Sequence, residues 1–148
     1  MLKFHPLRQE DFDARDWDAE PLTRLLPDGA EALRKRAEAG DLLLTVFDAD
    51  RPVGMLMLNR EPTDGRPVCA VIEAVVLLEE YRRHGLGRML MSLAAGAAVD
   101  RQIWFLAAAV PETDAARGFA AAMHMRKTPW YDDLWLLDLS DVEGMRHG

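Results

Sequence analysis

The stretch from residue 75 to residue 90 constrains the fold of this 148-residue chain more than any other. An apolar run leads through a basic turn with two glycines into a helical pattern that begins at Gly85. Apolar side chains then recur at the spacing of one face of an α-helix: Leu86, Met89, Leu90, Leu93 and Ala97. A strand that passes directly into a helix starts a crossover connection, so we expect a parallel strand pair beyond this point.

The rest of the chain alternates between short apolar runs and helical patterns. Strands are expected at residues 2–7, 42–47, 53–58, 68–78, 103–110 and 134–139, and helices at residues 9–26 (one or two, with a break), 28–39, 85–97 and 114–125. The order β-α-α-β-β-β-α-β-α-β predicts a single α/β domain over residues 1–148, with a mixed sheet and helices on both faces. Short turns between the middle three strands predict an antiparallel meander.

The second helix carries start and stop signals in its sequence. Asp28 and Glu31 have the spacing of a capping box. Gly40 stands where a helix would end in a left-handed conformation. Between them, Leu33 and Ala37 fall on one face, which we expect to be buried.

Charge and composition exclude several classes of function. The chain has 18 basic and 25 acidic side chains, a net charge of −7, so we expect no nucleic-acid partner, because phosphate binding needs clustered cations. The first residues lack the apolar run of a signal peptide, and the longest uncharged stretch after Arg101 is about half of a membrane span. A single cysteine, Cys69, permits no internal disulfide. We therefore expect a cytoplasmic protein that contacts no membrane.

The glycine turn has the chemistry of an anion site. The first backbone N–H groups of a helix have no partner and carry partial positive charge, so they bind phosphate oxygens. Gly85 and Gly87 let a ligand approach the main chain closely, and Arg82, Arg83 and Arg88 make the turn cationic in an anionic chain. The alternative is an ordinary glycine turn at a strand–helix junction. Neither a Walker loop nor the third glycine of a dinucleotide fingerprint occurs in the sequence.

The spacing Arg82-x-x-Gly85-x-Gly87 resembles the acyl-CoA signature of the GNAT N-acetyltransferase superfamily, Arg/Gln-x-x-Gly-x-Gly/Ala after the fourth strand. The expected order of elements is similar to that fold over nearly the whole chain. The resemblance implies acetyl-CoA as acyl donor, no metal, and a primary amine on a small molecule or peptide as acceptor. It also implies that the loop holds the cofactor pyrophosphate, through Arg82, Arg83, His84, Gly85, Leu86, Gly87 and Arg88.

The same resemblance implies where the acyl group lies. The main chain of Val76, Leu77 and Leu78 would pair with the pantetheine arm as an added strand. Leu77 or Leu78 would donate a backbone N–H to the carbonyl oxygen. Glu73 interrupts the apolar run and is the candidate base, directly or through water. The alternative for Glu73 is a side chain that faces solvent at the start of the strand.

The general acid of many relatives is missing from its usual place. In the family, the fifth strand is followed by Asn-x-x-Ala-x-x-Phe-Tyr-x-x-x-Gly-Phe, and the tyrosine protonates the departing thiolate. Here Ala116 and Phe119 fit, but Ala120 stands at the tyrosine position and His124 at the glycine position. Either Tyr131 or His124 replaces the acid, or water suffices. Alternatively, the domain binds acyl-CoA without turnover and acts on a protein partner.

Two further surfaces have more than one interpretation. The acidic residues between positions 11 and 20 either attract a cationic amine to the acceptor cleft or form a solvated helix face. The apolar residues near the C-terminus serve either a homodimer interface or the core. They are Trp130, Trp135, Leu136 and Leu137.

Overall fold

A computed structural model describes residues 2–26, 28–59, 69–110, 113–127 and 134–139. The strands are β1 (Leu2–Pro6), β2 (Leu42–Asp48), β3 (Arg51–Leu58), β4 (Cys69–Leu77), β5 (Phe105–Ala109), β6 (Arg126–Lys127) and β7 (Leu134–Asp138). The α-helices are α1 (Gln9–Asp13), α2 (Gly29–Ala39), α3 (Leu86–Asp100) and α4 (Asp114–Ala122). Three short 3₁₀ turns lie at Trp17–Ala19, Pro21–Leu25 and Glu79–Tyr81.

The strands form one mixed sheet in the order β1-β2-β3-β4-β5-β7-β6. Strands β2, β3 and β4 form the expected antiparallel meander, and β4 and β5 are the expected parallel pair, joined by α3. The mixed α/β fold is therefore confirmed. The two-residue strand β6, which pairs with β7, was not expected, because two residues are too few to produce a periodic pattern.

The middle of the sheet is covered on both faces. Every residue of β3 after Arg51 is buried, and residues 43–47 of β2 are buried as well. Since successive side chains of a strand point to opposite faces, burial at consecutive positions requires packed layers on both sides. The continuous apolar runs at these positions have this cause.

The second helix follows its sequence signals at one end only. Leu33 is fully buried, Ala37 packs against the core, and Gly40 ends the helix with a φ of 87°. The expected capping box is wrong, because Asp28 makes no side-chain hydrogen bond to the helix. Its backbone, at φ −121° and ψ 14°, is not in the extended conformation that a capping residue adopts, and Gly29 follows with a φ of 74°.

Helix α3 packs against β2, β3, β4 and β5. Its buried side chains are Leu86, Leu90, Met91, Ala94, Ala95 and Ala98. Met89 and Leu93, expected on the same face, are 49% and 43% exposed. The three alanines explain the difference, because small side chains let this side of the helix approach the sheet closely. No helix in the described ranges is long and apolar enough to cross a membrane.

Candidate functional site

Strands β4 and β5 separate partway along β4. Their parallel pairing runs from Cys69 opposite Phe105 to Ile72 opposite Ala108, although β4 continues to Leu77. Beyond Ile72, β4 is paired along its β3 edge only, as far as the described residues show. One edge of residues 73–77 is therefore open to hydrogen bonding by another extended chain.

Glu73 lies at the point where the two strands separate. Met57 of β3 faces Ala74 of β4, but the next residue, Leu58, faces Ile72. Glu73 is therefore the extra residue of a β-bulge. A bulge bends the strand and increases its twist, which accounts for the divergence of β4 from β5 at this position.

Alternation along β4 identifies which backbone groups face the open edge. The N–H of Leu78 donates to the carbonyl oxygen of Val53 on β3, at 2.9 Å. The main-chain groups of Val76 face β3 in the same way, so those of Val75 and Leu77 face the open edge. In agreement, Nε of Arg82 donates to the Leu77 carbonyl oxygen at 3.2 Å. Of the two N–H groups considered for the acyl carbonyl, only that of Leu77 lies on the open edge.

The loop after β4 turns sharply into α3. Arg83 has a φ of 66° and Gly85 a φ of 79°, so two residues of three adopt the left-handed conformation. This conformation costs a residue with a Cβ about 1–2 kcal/mol, and such strain clusters at functional sites. Glycine removes that cost at position 85 but not at Arg83.

The N-terminus of α3 presents unpaired N–H groups at the end of this loop. The first helical hydrogen bond joins the Met89 N–H to the Gly85 carbonyl at 3.0 Å. For the N–H groups of Leu86, Gly87 and Arg88 the helix provides no carbonyl acceptor one turn earlier. These groups point outward from the N-terminus of the helix and carry partial positive charge. Gly85, as N-cap, has no side chain to occupy them. These groups fit a pyrophosphate.

The loop side chains add cationic groups around that helix end. Arg82, Arg83, His84 and Arg88 are all exposed, and within the described residues Arg82 alone of the four makes a side-chain hydrogen bond, to the Leu77 carbonyl oxygen. The remaining side chains are available to a ligand of several negative charges. The structure therefore brings together the loop residues that the sequence indicated.

Helix α4 completes this end of the site. A Cβ placed on Gly87 would lie 3.5 Å from Cε2 of Phe119 and 3.9 Å from Cδ1 of Leu77. Phe119 is 40% exposed. The start of α3, the end of the open β4 edge and one aromatic ring of α4 therefore meet at Gly87, with ordinary contact distances between them.

Two side-chain contacts connect the first residues after β4 to the residues on either side of the turn between β2 and β3. The Tyr81 hydroxyl donates to Oδ2 of Asp48, and the Arg51 guanidinium lies 2.8 Å from Glu80. The hydrogen bond to Asp48 is the main cause that raises the pKa of Tyr81 above its usual value; desolvation and the charge of Asp48 add to it, and Arg51 opposes it. No sequence signal indicated this contact, because its partners are 33 positions apart.

At the other end of the open edge, a cavity of about 140 Å³ lies between α2 and β4. Leu26, Asp28, Gly29, Ala32, Leu33, Arg36, Met57, Glu73 and Ala74 line it. The Arg36 guanidinium lies 3.6 Å from Oε2 of Glu73 and 3.4 Å from Oδ2 of Asp41. Glu73 is an exposed residue, with a side chain 33% exposed, and it is ion-paired with Arg36 at the cavity. Sequence reasoning missed Arg36.

The other sequence candidates follow α3 in the chain, and none of those described lines the cavity. Ala120, at the tyrosine position, is buried. His124 is exposed and has a φ of 64°, a conformation that suits the glycine of the family motif. Tyr131 lies outside the described residues.

Three acidic side chains in the stretch before α2 bind residues close to them in the chain. Asp11 accepts the Arg8 N–H at 2.8 Å, and Asp16 accepts the Asp18 N–H at 3.1 Å. Glu20 pairs with Arg15. These side chains stabilise the local turns. None of them lines the cavity beside Glu73.

The family model for the GNAT acetyltransferase family matches residues 3–125. NAA60 of Arabidopsis thaliana in complex with acetyl-CoA has a similar structure, with a TM-score of 0.70 at 13% identity over 93% of this chain and 99% of that one. The ribosomal-protein-S18-alanine N-acetyltransferase of Escherichia coli gives 0.69 at 14% identity, over 94% of each chain. The IAA acetyltransferase of Bacillus cereus ATCC 14579 gives 0.64 at 14% identity, over 86% of this chain and 79% of that one. No curated protein matches significantly in sequence.

The matched region contains the bulge at Glu73, the open edge of β4, the glycine loop and Phe119 of α4. The similarity to these solved structures is one of fold. The chain belongs to the GNAT acetyltransferase family.

Proposed function

We propose that this protein transfers an acetyl group from acetyl-CoA to a primary amine by direct attack, with both substrates bound together. One observation carries the proposal. The open edge of β4 runs from the N-terminus of α3, where unpaired N–H groups can bind phosphate, to the cavity at Glu73. The four residue steps from Leu77 to Glu73 span about 13 Å. A donor bound at the loop and extended along β4 brings its acyl group to the cavity.

Each part of the chain has a role in binding the donor. The N–H groups of Leu86, Gly87 and Arg88, with the exposed loop cations, bind the pyrophosphate. Leu77 pairs with the pantetheine arm through its main chain. The open-edge N–H nearest the cavity is that of Val75, which we assign as donor to the acyl oxygen, in place of Leu77 or Leu78.

The chemistry at the cavity is a nucleophilic acyl substitution. Acetyl-CoA supplies an acetyl group activated as a thioester. Glu73 accepts a proton from the ammonium form of the acceptor, directly or through water, and leaves a neutral amine. The amine nitrogen then bonds to the acyl carbon, the carbon–sulfur bond breaks, and the thiolate takes up a proton. The products are an acetamide, coenzyme A and one released proton. Tyr131 stays the sequence candidate for that last protonation, with water as the alternative.

The structural neighbours support this class of reaction. The Escherichia coli protein is named as an N-acetyltransferase for an alanine of a ribosomal protein, and the Arabidopsis structure holds acetyl-CoA. Both have nearly the same length and fold as this chain.

Acetyl transfer is tested by release of free thiol from acetyl-CoA in the presence of a panel of primary amines. We expect turnover with at least one amine for the wild type and for Gly87→Ala. We expect none for Gly87→Glu, whose carboxylate would occupy the pyrophosphate position. Turnover by a folded Gly87→Glu protein would refute the placement of the pyrophosphate.

A second candidate function is a binding module that senses acyl-CoA and acts on a protein partner. The buried Ala120, in place of the tyrosine of the family motif, favours it. The two functions separate cleanly in the same assay. Tight acetyl-CoA binding with no thiol release across the amine panel supports the module, and amine-dependent thiol release excludes it.

A further inference from the structure

We infer that the cavity between α2 and β4 accepts a small cationic primary amine with no carboxylate beside the amine. The inference rests on the proposed function and specifies its acceptor. The cavity lies at the bulge, where the donor's acyl group would arrive, and Glu73 lines both.

The charges that line the cavity favour a cation. Among the described residues that line it, Asp28 and Glu73 are the carboxylates and Arg36 is the cation. Arg36 is already paired inside the protein, with Glu73 through one terminal nitrogen and with Asp41 through the other. Asp28 makes no capping bond to the start of α2. Among the described residues Asp28 has no hydrogen-bond or ion-pair partner, so its carboxylate can accept an ammonium group, whereas Arg36 is already paired.

The other lining residues are apolar. Leu33 is fully buried, Leu26 and Met57 are 7% and 5% exposed, and these side chains form the inner wall of the cavity. Ala32 and Ala74 are small and leave the space open. A cavity of about 140 Å³ whose walls combine charged and hydrocarbon side chains suits a small amine.

A carboxylate beside the amine would be excluded by charge. In a free α-amino acid the carboxylate is attached to the same carbon as the amine. It would therefore lie close to Glu73 and Asp28, which repel its negative charge. Only Arg36 could pair with it, and that would break the contacts of Arg36 with Glu73 and Asp41. A peptide amine and a simple alkyl amine carry no such group and meet no such cost.

Binding of matched ligands tests this inference without requiring acetyl transfer. Isopentylamine and leucine differ only by the carboxylate, and leucinamide has nearly the size of leucine without its negative charge. The protein is labelled at its methionine methyl groups, the Met57 signal is assigned with Met57→Leu, and each ligand is titrated in the presence of coenzyme A. We expect isopentylamine and leucinamide to shift the Met57 signal and to bind roughly tenfold more tightly than leucine.

Two variants locate the charge that is responsible. Asp28→Asn should weaken isopentylamine binding several-fold, by about 3-fold or more. Asp50→Asn removes an exposed carboxylate of the turn between β2 and β3, outside the cavity lining, and should leave binding unchanged.

Several results would overturn the inference. Leucine binding as tightly as isopentylamine would remove the charge argument, and weak binding of leucinamide would show exclusion by size instead. A Met57 signal unmoved by any ligand would remove the cavity as acceptor site. Failure of acetyl-CoA to bind would refute the proposed function separately, since the methyl shifts do not depend on it.

Discussion

The guanidinium of Arg36 lies 3.6 Å from the carboxylate of Glu73 and joins α2 to the bulge of β4. The same guanidinium contacts Asp41, just after the end of α2. Arg36 is therefore held from two sides and fixes Glu73 at the point where β4 leaves β5. We regard Arg36 as a positioning residue, because its contacts are with Glu73 and not with the donor site at Gly87.

Arg36→Met should lower kcat without a matching loss of stability. Both side chains of the pair are about a third exposed, and exposed pairs contribute at most about 1 kcal/mol to the free energy of unfolding. Misplacing Glu73 is expected to lower kcat by roughly tenfold. Arg36→Lys should recover part of that loss, because it restores a cation near Glu73. Steady-state kinetics and urea unfolding measure the two effects, and a loss of stability that matches the loss of kcat would show a merely structural role.

Glu73→Gln should lower kcat by roughly 100-fold, the usual contribution of a general base. Acetyl-CoA affinity should not change, because the pyrophosphate site lies at the other end of the open edge. Glu38→Gln, an exposed change on α2, serves as the control and should leave kcat at the wild-type value. Equal activity of Glu73→Gln and Glu38→Gln would exclude Glu73 as the base.

Gly85→Ala should destabilise the protein by about 1–2 kcal/mol, because residue 85 has a φ of 79°. A Cβ at this position would meet nothing within 4 Å, so the cost is backbone strain alone. Gly118→Ala is a matched control, since Gly118 has equal space within α4. There the same change should stabilise the helix by up to about 1 kcal/mol. Urea unfolding of both variants decides, and equal effects would contradict the left-handed conformation at Gly85.

The stabilising effect of Tyr81 should vanish at high pH. Its pKa is raised above 10.0 in the folded protein, mainly by the hydrogen bond to Asp48. A raised pKa means that the folded state favours the protonated phenol. The contribution is therefore complete below the unfolded value of about 10 and is lost as pH rises through the folded value.

This pH dependence is measured as the difference in unfolding free energy between wild type and Tyr81→Phe. The difference should be constant from about pH 7 to pH 9 and should shrink above about pH 10. A difference that stays constant across the whole range would show that Tyr81 does not depend on its proton for the contact with Asp48.

The parts of the fold that the sequence predicted are those with long or strong patterns. The meander was recognisable because its strands are continuous apolar runs with turns rich in Asp and Gly between them. The turn from β4 into α3 was recognisable because Gly85 and Gly87 stand between two different periodicities. The prediction of the buried face of α3 was partly wrong. Ala94 and Ala98 are only weakly hydrophobic, so the apolar pattern did not indicate them, although their small side chains allow close packing.

The details that sequence could not provide depend on contacts between distant positions. The ion pair of Arg36 and Glu73 joins a helix to a strand, and no local pattern reports it. The pairing of β4 with β3 turns the Leu78 N–H away from the open edge, and the position of the cavity, which no local pattern reports, led us to assign the N–H of Val75 as oxygen donor. The capping box at Asp28 had the correct spacing, but the backbone conformation there prevents the hydrogen bond.

Titration calorimetry with acetyl-CoA tests the central claim most directly, with wild type, Gly87→Ala and Gly87→Glu compared. Gly87→Ala has room for its methyl group, at 3.5 Å or more from its neighbours, and should bind like wild type. Gly87→Glu should bind at least roughly 100-fold more weakly while its unfolding curve stays that of a folded protein. Equal affinity in all three proteins would contradict the pyrophosphate site at the start of α3, and no binding by the wild type would contradict the proposed function as a whole.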